Sequence, residues 1–286
     1  MPEVNFIKRL DAPPKVETQI YALAPSGATA KTLPVFARSF GLESRRAVLA
    51  QDPVKFTYTA GQHVLTLFKA SGALRYQDQT RWQIDDGKSN LEITDAEATK
   101  LALSHIRKHE LASTKECTLL KVSRLTVGDG NVDAKAGTER IVDVGVAFQR
   151  TIDGVPVDGP GGKLIVYLNQ ERELTGFDRI WRQTKAVQAP VPELRSPKLA
   201  EADLLRYWRR HNSARIDVYD MRFGYFERGY EESQRVLQPA YVMLLSLVST
   251  DERISMKTAH VFPAATNAVG TIMPPARKAV PQPPRQ

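Results

Sequence analysis

Two histidines form the pattern in this sequence that is most typical of a metal site. His105 and His109 are four residues apart in a segment with helical periodicity, so both imidazoles would lie on one helix face and could share a metal ion. The residues between them include Arg107 and Lys108 and no glutamate, and these cations disfavour a further positive charge. A basic helix end that complements the helix dipole is therefore the favoured interpretation. We predict neither a bound metal nor a cofactor.

The residue patterns of nucleophilic and acid–base catalysis are missing from the sequence. It contains no Gly-x-Ser-x-Gly elbow, and the neighbours of Cys117, the single cysteine, create no net positive setting for a thiolate. Cys117 cannot form an internal disulfide, and we expect it to pack as a small apolar residue. The paired acids Asp85–Asp86 and Glu231–Glu232 indicate turns and surface, because adjacency does not place two carboxylates across a substrate. We predict a non-enzymatic protein without catalytic residues.

The glycine-rich segment Asp158–Gly162 could cradle a phosphate. However, the Gly-Lys-Ser/Thr of a Walker motif is missing, and the segment leads into the strand-like Lys163–Asn169 instead of a helix. Glycines in such a position allow positive φ angles and close approach of two backbones. We predict a turn or bulge here.

Arg206–His211 combines cations with aromatic rings, as sites for single-stranded nucleic acids and anionic glycans do. Helical spacing nevertheless aligns Trp208 with Leu204 toward a core and leaves the arginines outside. The net charge of +8 and the pI near 9.5 favour anionic partners, including an acidic protein face. A nucleic-acid partner is disfavoured, since the sequence contains no recognised nucleic-acid-binding motif.

One further polar–aromatic cluster could bind a ligand. It consists of Arg222, Tyr225, Arg228 and Tyr230. Tyrosine and arginine are enriched among the residues that dominate the binding energy of protein interfaces. We predict a binding groove formed by these four residues, with a protein or an extended peptide as the partner.

The composition is that of a folded protein. Of the 286 residues, 42% are hydrophobic and 25% are charged, and the length fits two domains or several small units. No stretch approaches the roughly 20 apolar residues of a membrane helix, and Met1–Leu10 lacks the apolar core of a signal peptide. We expect a soluble chain, extracytoplasmic or secreted if a signal was removed and otherwise cytoplasmic.

The order of a helix followed by a sheet recurs three times. The first helix has Leu33, Phe36, Ala37 and Phe40 on one face and ends at Gly41. The second begins at Thr94–Glu97, a capping box, and the third at Ser196–Pro197, where serine caps and proline takes the first helical position. The strands predicted after these helices are Lys55–Thr59, Gln62–Phe68, Ala73–Tyr76, Leu119–Thr126, Ile141–Thr151, Lys163–Asn169, Leu174–Arg182, Ile216–Tyr225, Ala240–Val248 and Met256–Phe262.

Several short motifs carry a resemblance to a known group. Val146–Val157 has a strand, a "dGvpV" turn and a second strand, and the other matching segments are Gly159–Asn169, Gly176–Trp181, Leu33–Leu42 and Leu237–Val242. Together they resemble the PepSY-like domains, including the repeats of YcdB/YcdC-type proteins, the YycI regulators and the propeptides of thermolysin-like peptidases. The resemblance implies a helix packed on an antiparallel sheet, and a role in peptidase inhibition, folding assistance or regulation at the bacterial cell envelope.

We therefore predict an α+β fold of tandem helix-plus-antiparallel-sheet units. The predicted boundaries are an N-terminal extension (1–19), three units (20–92, 93–190 and 191–265) and a flexible Pro-rich tail (266–286). The function predicted first is a protein-binding regulator, inhibitor or assembly factor of the cell envelope, acting through a sheet face or edge. The alternative is a structural or scaffold domain of a surface or secretion assembly, and such an assembly could be a homo-oligomer. A hydrolase with an unrecognised site is the second alternative.

Overall fold

The computed structural model describes residues 3–42, 46–79, 91–128, 139–209, 215–248 and 255–272. Three α-helices are present in these ranges: α1 (Thr32–Ser39), α2 (Asp95–Lys108) and α3 (Pro197–Trp208). The strands are β1 (Glu3–Phe6), β2 (Gln19–Leu23), β3 (Val48–Gln51), β4 (Lys55–Ala60), β5 (His63–Phe68), β6 (Leu74–Asp78), β7 (Cys117–Gly128), β8 (Glu139–Ile152), β9 (Val155–Asp158), β10 (Lys163–Leu168), β11 (Leu174–Ile180), β12 (Thr184–Pro190), β13 (Arg215–Phe226), β14 (Val236–Leu237), β15 (Pro239–Val248) and β16 (Ser255–Pro263).

The fold is mostly β, and the predicted α+β class of tandem helix-plus-sheet units is wrong. Strands hold 48% of the described residues and helices 16%, and thirteen of the strands belong to one large mixed sheet. The elements that were predicted lie close to their observed bounds, but the strands β1, β2, β3, β12 and β14 were not predicted. The association of the strands was not predicted either, because strands far apart in the chain are paired, and hydrophobic periodicity reports only local structure.

The chain forms two compact units. The smaller unit comprises Met1–Lys15, Val191–Phe223 and Ala240–Gln286, and the larger unit comprises Val16–Pro190 and Gly224–Pro239.

Four predicted features lie wholly or partly outside the described residues. These are Asp85–Asp86, the end of Arg206–His211, residues 273–286 of the predicted tail, and the loop that the Gly, Asp and Asn residues of Gly128–Thr138 predict, which lies outside from residue 129 on.

In the larger unit, antiparallel strands are hydrogen-bonded in the order β7-β8-β10-β11-β6-β5-β4-β3. Successive side chains of a strand point to opposite faces, so each row of paired residues belongs to one face. One face packs against α1 and α2 and forms the core of this unit. A row of this core across the central strands consists of Leu65, Tyr76, Phe177, Val166 and Val146.

Local sequence explains several elements of the larger unit. The Thr94 hydroxyl accepts a hydrogen bond from the Glu97 backbone N–H at 3.2 Å, so the predicted cap of α2 is confirmed. The turn between β8 and β9 places Asp153 at φ 49° and Gly154 at φ 80°, the left-handed region that a two-residue hairpin turn requires. The predicted hairpin of the "dGvpV" motif is therefore present.

The smaller unit has one helix on a sheet. Its strands β16, β15 and β13 are neighbours, and β1 pairs with β13 in parallel, with Glu3 opposite Arg215. Leu204 and Trp208 of α3 pack on this sheet, as predicted for the buried side of that helix. Leu205, which was predicted to belong to the same buried side, is 41% exposed. None of the helices in the described ranges is long and apolar enough to cross a membrane.

Candidate functional site

The residues of the predicted groove are divided between the two units. Arg222 belongs to the smaller unit, where its side chain is half exposed and its Nε donates to a carboxylate oxygen of Asp220. The other carboxylate oxygen of Asp220 lies 2.7 Å from Nζ of Lys8. Arg222 therefore takes part in a local charge network, and the four predicted residues do not form one site within either unit.

Tyr225 and Arg228 stabilise the larger unit. Tyr225 is 1% exposed, its hydroxyl accepts from the backbone N–H of Gln19 at 3.2 Å, and its ring lies edge-on to that of Tyr21. Burial raises the pKa of the Tyr225 hydroxyl. Nη1 of Arg228 donates to the carbonyl oxygen of Ser233, and its backbone N–H donates to the Gln234 side chain. These contacts fix the segment after β13 and leave Tyr225 no exposed surface.

Tyr230 lies in an arrangement that sequence reasoning did not identify. Nη2 of Arg75 donates to Oδ2 of Asp178 at 2.7 Å and to the Tyr230 hydroxyl at 3.0 Å. Nε of Arg75 also donates to Oδ2 of Asp178, at 3.2 Å. The Tyr230 ring packs on Phe68, with ring centroids 4.6 Å apart. Arginine, aspartate and tyrosine are thereby brought together on the sheet face that α1 and α2 do not cover.

The segment that carries Tyr230 is held by a buried guanidinium. Arg182 donates to the backbone carbonyl oxygens of Arg228 at 2.7 Å, Gly229 at 2.9 Å and Glu232 at 2.5 Å. Its Nη1 also donates to Oε1 of Glu227 at 3.1 Å. The side chains of Arg182 and Glu227 are 3% and 0% exposed. A planar donor with fixed geometry thus orders a segment that forms no helix or long strand.

The glycines before β10 allow this segment to lie close by. A Cβ atom at Gly159, which has φ 99°, would lie 2.5 Å from the Glu227 carbonyl oxygen. A Cβ atom at Gly161 would lie 2.6 Å from the carbonyl oxygen of Arg228. The prediction of a glycine turn that permits close backbone approach is therefore confirmed.

The uncovered sheet face of the larger unit, here called the open face, follows from strand register. Arg75 is opposite Asp178, and in the next row Gly176 lies between Gln77 and Tyr167. Tyr230, Phe68, Ala73 and Ile180 cover one end of this face. Beside them is a cleft of about 160 Å³, here called the Gly176 cleft. Its lining residues are Arg75, Tyr76, Gln77, Tyr167, Phe177 and Asp178.

Two carboxylates on the open face have unused acceptor capacity. Oδ1 of Asp178 and Oδ1 of Asp143 are buried and accept no hydrogen bond. Asp143 is 6% exposed, and its Oδ2 accepts from the Thr175 hydroxyl at 3.1 Å. Burial raises the pKa of Asp143 to about 6, although hydrogen bonds from the Thr175 side chain and from the backbone of Val144 and Leu168 act in the opposite direction. Burial also raises the pKa of the Tyr167 hydroxyl, with a smaller contribution from the Asp178 charge.

The geometry of these acids argues against glycosidase chemistry. Register places Asp143 and Asp178 four residues along and two strands across, which is roughly 16 Å. The paired carboxyl groups of glycosidases lie about 5–9.5 Å apart. The open face therefore offers hydrogen-bonding and aromatic contacts at fixed positions, which suits binding.

The two histidines of the metal-site pattern are packed against the core. Their rings are nearly parallel, with centroids 6.2 Å apart, and His109 stacks on Phe40 at 4.3 Å. Burial lowers the pKa of both His105 and His109, which favours neutral rings at neutral pH. Within the described part of the chain, no three His, Cys, Asp or Glu side chains are grouped as a metal site would require.

Sequence reasoning missed Arg75, Gln77, Tyr167 and Asp178. Arg75 lies between the buried Leu74 and Tyr76, and Tyr167 lies between the buried Val166 and Leu168, so the period of two was a usable signal for strands with one polar face. The sequence lacks a signal that shows which strands are neighbours in the sheet. Nothing in β6 alone indicates that β11, about a hundred residues later, lies beside it.

Comparison with known proteins informs the fold alone. No protein-family model matches the chain, and no curated protein matches it. Among solved structures, a crystal structure of an uncharacterised protein from Eubacterium rectale is similar over 95% of this chain and 90% of that one. The TM-score is 0.53 and the sequence identity is 13%. A likeness at this identity indicates a shared architecture and leaves the function to be argued from the site.

Proposed function

We propose that the larger unit binds a polypeptide partner on its open face, at the Gly176 cleft. The observation that carries the proposal is the set of Arg75, Asp178, Tyr167 and Tyr230 on the sheet face opposite to the one that packs against α1 and α2. Arginine and tyrosine supply much of the binding energy in protein interfaces, and a rigid sheet holds them in place at little entropic cost. Such a protein acts without catalysis, as a regulator, inhibitor or assembly factor.

The chemistry of the cleft suits the peptide group. Asp178 provides an acceptor, Arg75 a donor, and the Gln77 amide both, all within two residues along paired strands. A peptide presents donors and acceptors at similar intervals. The PepSY-like resemblance of Val146–Val157 supports the same class of function and an extracytoplasmic location, and both belong to the proposal.

A peptide-display selection against the immobilised protein tests this proposal. We expect selected peptides to bind the native protein and to lose at least tenfold in affinity with Tyr167→Ala, which removes an aromatic wall of the cleft. Arg222→Ala, in the smaller unit, is the matched control and should leave binding unchanged. Hydrogen exchange should show added protection in β6, β10 and β11. Peptides that bind both variants equally, without protection of these strands, would overturn the proposal.

A second candidate function, self-association as a scaffold, has its own supporting observation. The edge strand β7 exposes Leu119, Leu120 and Leu125, with relative exposures of 45%, 52% and 57%. An exposed apolar edge strand is a template for pairing with another chain. If this is the function, sedimentation velocity should show a dimer or larger species that Leu120→Lys with Leu125→Lys converts to monomer. A native protein that stays monomeric at high micromolar concentration would exclude it.

A further inference from the structure

The Tyr167 ring stands between two glycines on the open face. Register places Tyr167 opposite Gly145 on one side and opposite Gly176 on the other. A Cβ atom at Gly145 would lie 3.2 Å from Cε1 of the ring, and a Cβ atom at Gly176 would lie 3.6 Å from Cδ2. The two edges of the ring therefore face positions without side chains. Glycine in a strand interior often marks a place where a ligand approaches closely, and on the Gly176 side the ring borders the cleft.

The Gly176 cleft has no net charge. Of the residues that line it, Asp178 carries the one negative charge and Arg75 the one positive charge. Nη2 of Arg75 lies 2.7 Å from Oδ2 of Asp178, so the two charges are paired with each other. A charged group of a ligand would lose its hydration in the cleft without an opposite charge to meet it. The cleft therefore suits a neutral group.

The accessible polar atoms of the cleft are mostly hydrogen-bond donors. Oδ1 of Asp178 is buried, and its Oδ2 already accepts two bonds from Arg75. Within the described part of the chain, Nη1 of Arg75 has no partner, and this side chain is 38% exposed. The half-buried Gln77 side chain likewise bonds to none of the described residues, and its amide nitrogen provides two donors. These donors suit a carbonyl oxygen of the ligand.

We infer that the Gly176 cleft receives a proline of the bound polypeptide together with the carbonyl group that precedes it. This inference rests on the proposed function and names the residue type that the open face recognises. The proline ring would lie against the Tyr167 ring, and the preceding carbonyl oxygen would accept from Gln77 or from Nη1 of Arg75. Proline fits because it is neutral and has no N–H that would need an acceptor.

Two general properties favour proline over other neutral rings. A proline-rich segment is already extended and stiff before binding, so an aromatic surface captures it at little entropic cost. A sugar ring, in contrast, presents several hydroxyl donors, and each of them needs an acceptor. The accessible acceptors of the cleft are few, which disfavours a glycan.

Acetyl-hexaproline amide, titrated into the ¹⁵N-labelled full chain and followed by NMR, tests the inference. We expect saturable shifts at the Gly176 amide and the Gln77 side-chain amide. Acetyl-hexasarcosine amide, whose residues also lack an N–H but have no ring, should bind at least roughly fivefold more weakly, because it cannot stack on Tyr167. Equal binding of the sarcosine peptide, or shifts at these positions with cellohexaose and none with hexaproline, would overturn the inference.

Variants locate the effect. Tyr167→Leu should weaken hexaproline binding at least roughly fivefold, whereas Tyr167→Phe, which keeps the ring, should change it less than about twofold. Tyr207→Leu is the matched control, since Tyr207 is a 45% exposed tyrosine of the smaller unit. If Tyr167→Leu does not fold, Gln77→Leu tests the same site through the lost donor. Unchanged affinity in a folded Tyr167→Leu protein, or in Gln77→Leu where that variant replaces it, contradicts the inference.

The outcome is separable from that of the proposed function. Selected peptides that protect β6, β10 and β11 but bind equally well after their prolines are replaced by alanine, together with no binding of hexaproline, would overturn the inference and leave the peptide-binding function standing. If neither selected peptides nor hexaproline bind the open face, both fail.

Discussion

Oε1 of Glu227 lies 3.1 Å from Nη1 of Arg182, and both side chains are almost completely excluded from water. The pair has a structural role, because the same guanidinium donates hydrogen bonds to three backbone carbonyl oxygens of the segment that carries Tyr230. The position of Tyr230 against Arg75 thus depends on a contact outside the Gly176 cleft.

We predict that Arg182→Met destabilises the protein strongly. The change removes the guanidinium from three carbonyl oxygens and from the buried Glu227 carboxylate, which keeps the backbone N–H of residue 182 as a donor, and breaking a buried ion pair costs about 3–5 kcal/mol. Urea unfolding measures the loss. Arg172→Met is the control: its 3.0 Å pair with Glu97 is exposed, and a change within about 1 kcal/mol is expected. Equal effects of the two variants would show that the Arg182 pair adds nothing.

Gly161→Ala should destabilise the larger unit. The new methyl group would lie 2.6 Å from the Arg228 carbonyl oxygen and against the Glu227 side chain, and overpacking of this kind costs about 1–3 kcal/mol. Thermal unfolding and the protection of the 227–232 amides from hydrogen exchange are the measurements. A variant as stable as the native protein would mean that the two backbones separate without cost.

Asp143 should make stability depend on pH. Its folded-state pKa, about 6, is raised from an ordinary value of 3.8, so the folded protein binds the proton more tightly than the unfolded chain does. Stability from this group is present below pH 3.8 and is lost as the pH rises through 6, by up to about 3 kcal/mol. Asp143→Asn should therefore gain stability relative to the native protein between pH 4.5 and 7.5, measured by urea unfolding.

Asp52 supplies a control of opposite sign. Its carboxylate accepts backbone N–H bonds from Lys55 at 2.8 Å and Val54 at 2.7 Å, and these bonds lower its pKa. Its contribution is therefore present at neutral pH and lost in acid. Relative to the native protein, Asp52→Asn should lose stability as the pH rises through the acid range below 3.8, where this carboxylate ionises, and the difference should stay level above about pH 5. The same sign for both variants would contradict the assignment for Asp143.

Cys117 should react slowly in the native state. Burial raises the pKa of its thiol to about 11, and the thiol donates to the Ser113 carbonyl oxygen at 3.4 Å. Because the thiolate is the reactive form, we expect modification by a disulfide reagent at pH 8 to be at least tenfold slower than in urea. Comparable rates in the two states would show that the thiol is accessible and ionised.

Part of the local structure was predictable from the sequence. Thr94 and Glu97 identified the start of α2, and Asp153–Gly154 identified a hairpin turn, because caps and tight turns depend on a few adjacent residues. The spacing of Leu204 and Trp208 likewise predicted the buried side of α3. In each case the interacting groups are neighbours in the chain.

The architecture and the candidate site were not predictable in the same way. The bond between Arg75 and Asp178 joins residues 103 positions apart, and that between Arg182 and the Gly229 carbonyl oxygen joins residues 47 apart. Alternation shows that Arg75 belongs to a polar strand face but does not identify the neighbouring strand. The three predicted units are therefore not separate in the structure, because strands of each unit pair with strands from elsewhere in the chain.

The parallel pairing of β1 with β13 has a consequence for biosynthesis. Asn5 donates to Asp217, 212 residues later, so the first strand leaves the ribosome long before its neighbour exists. At about 5–20 residues per second, the delay is roughly 10–40 s. Val4 and Phe6, which pack on the core of the smaller unit, therefore stay without their native contacts during this interval.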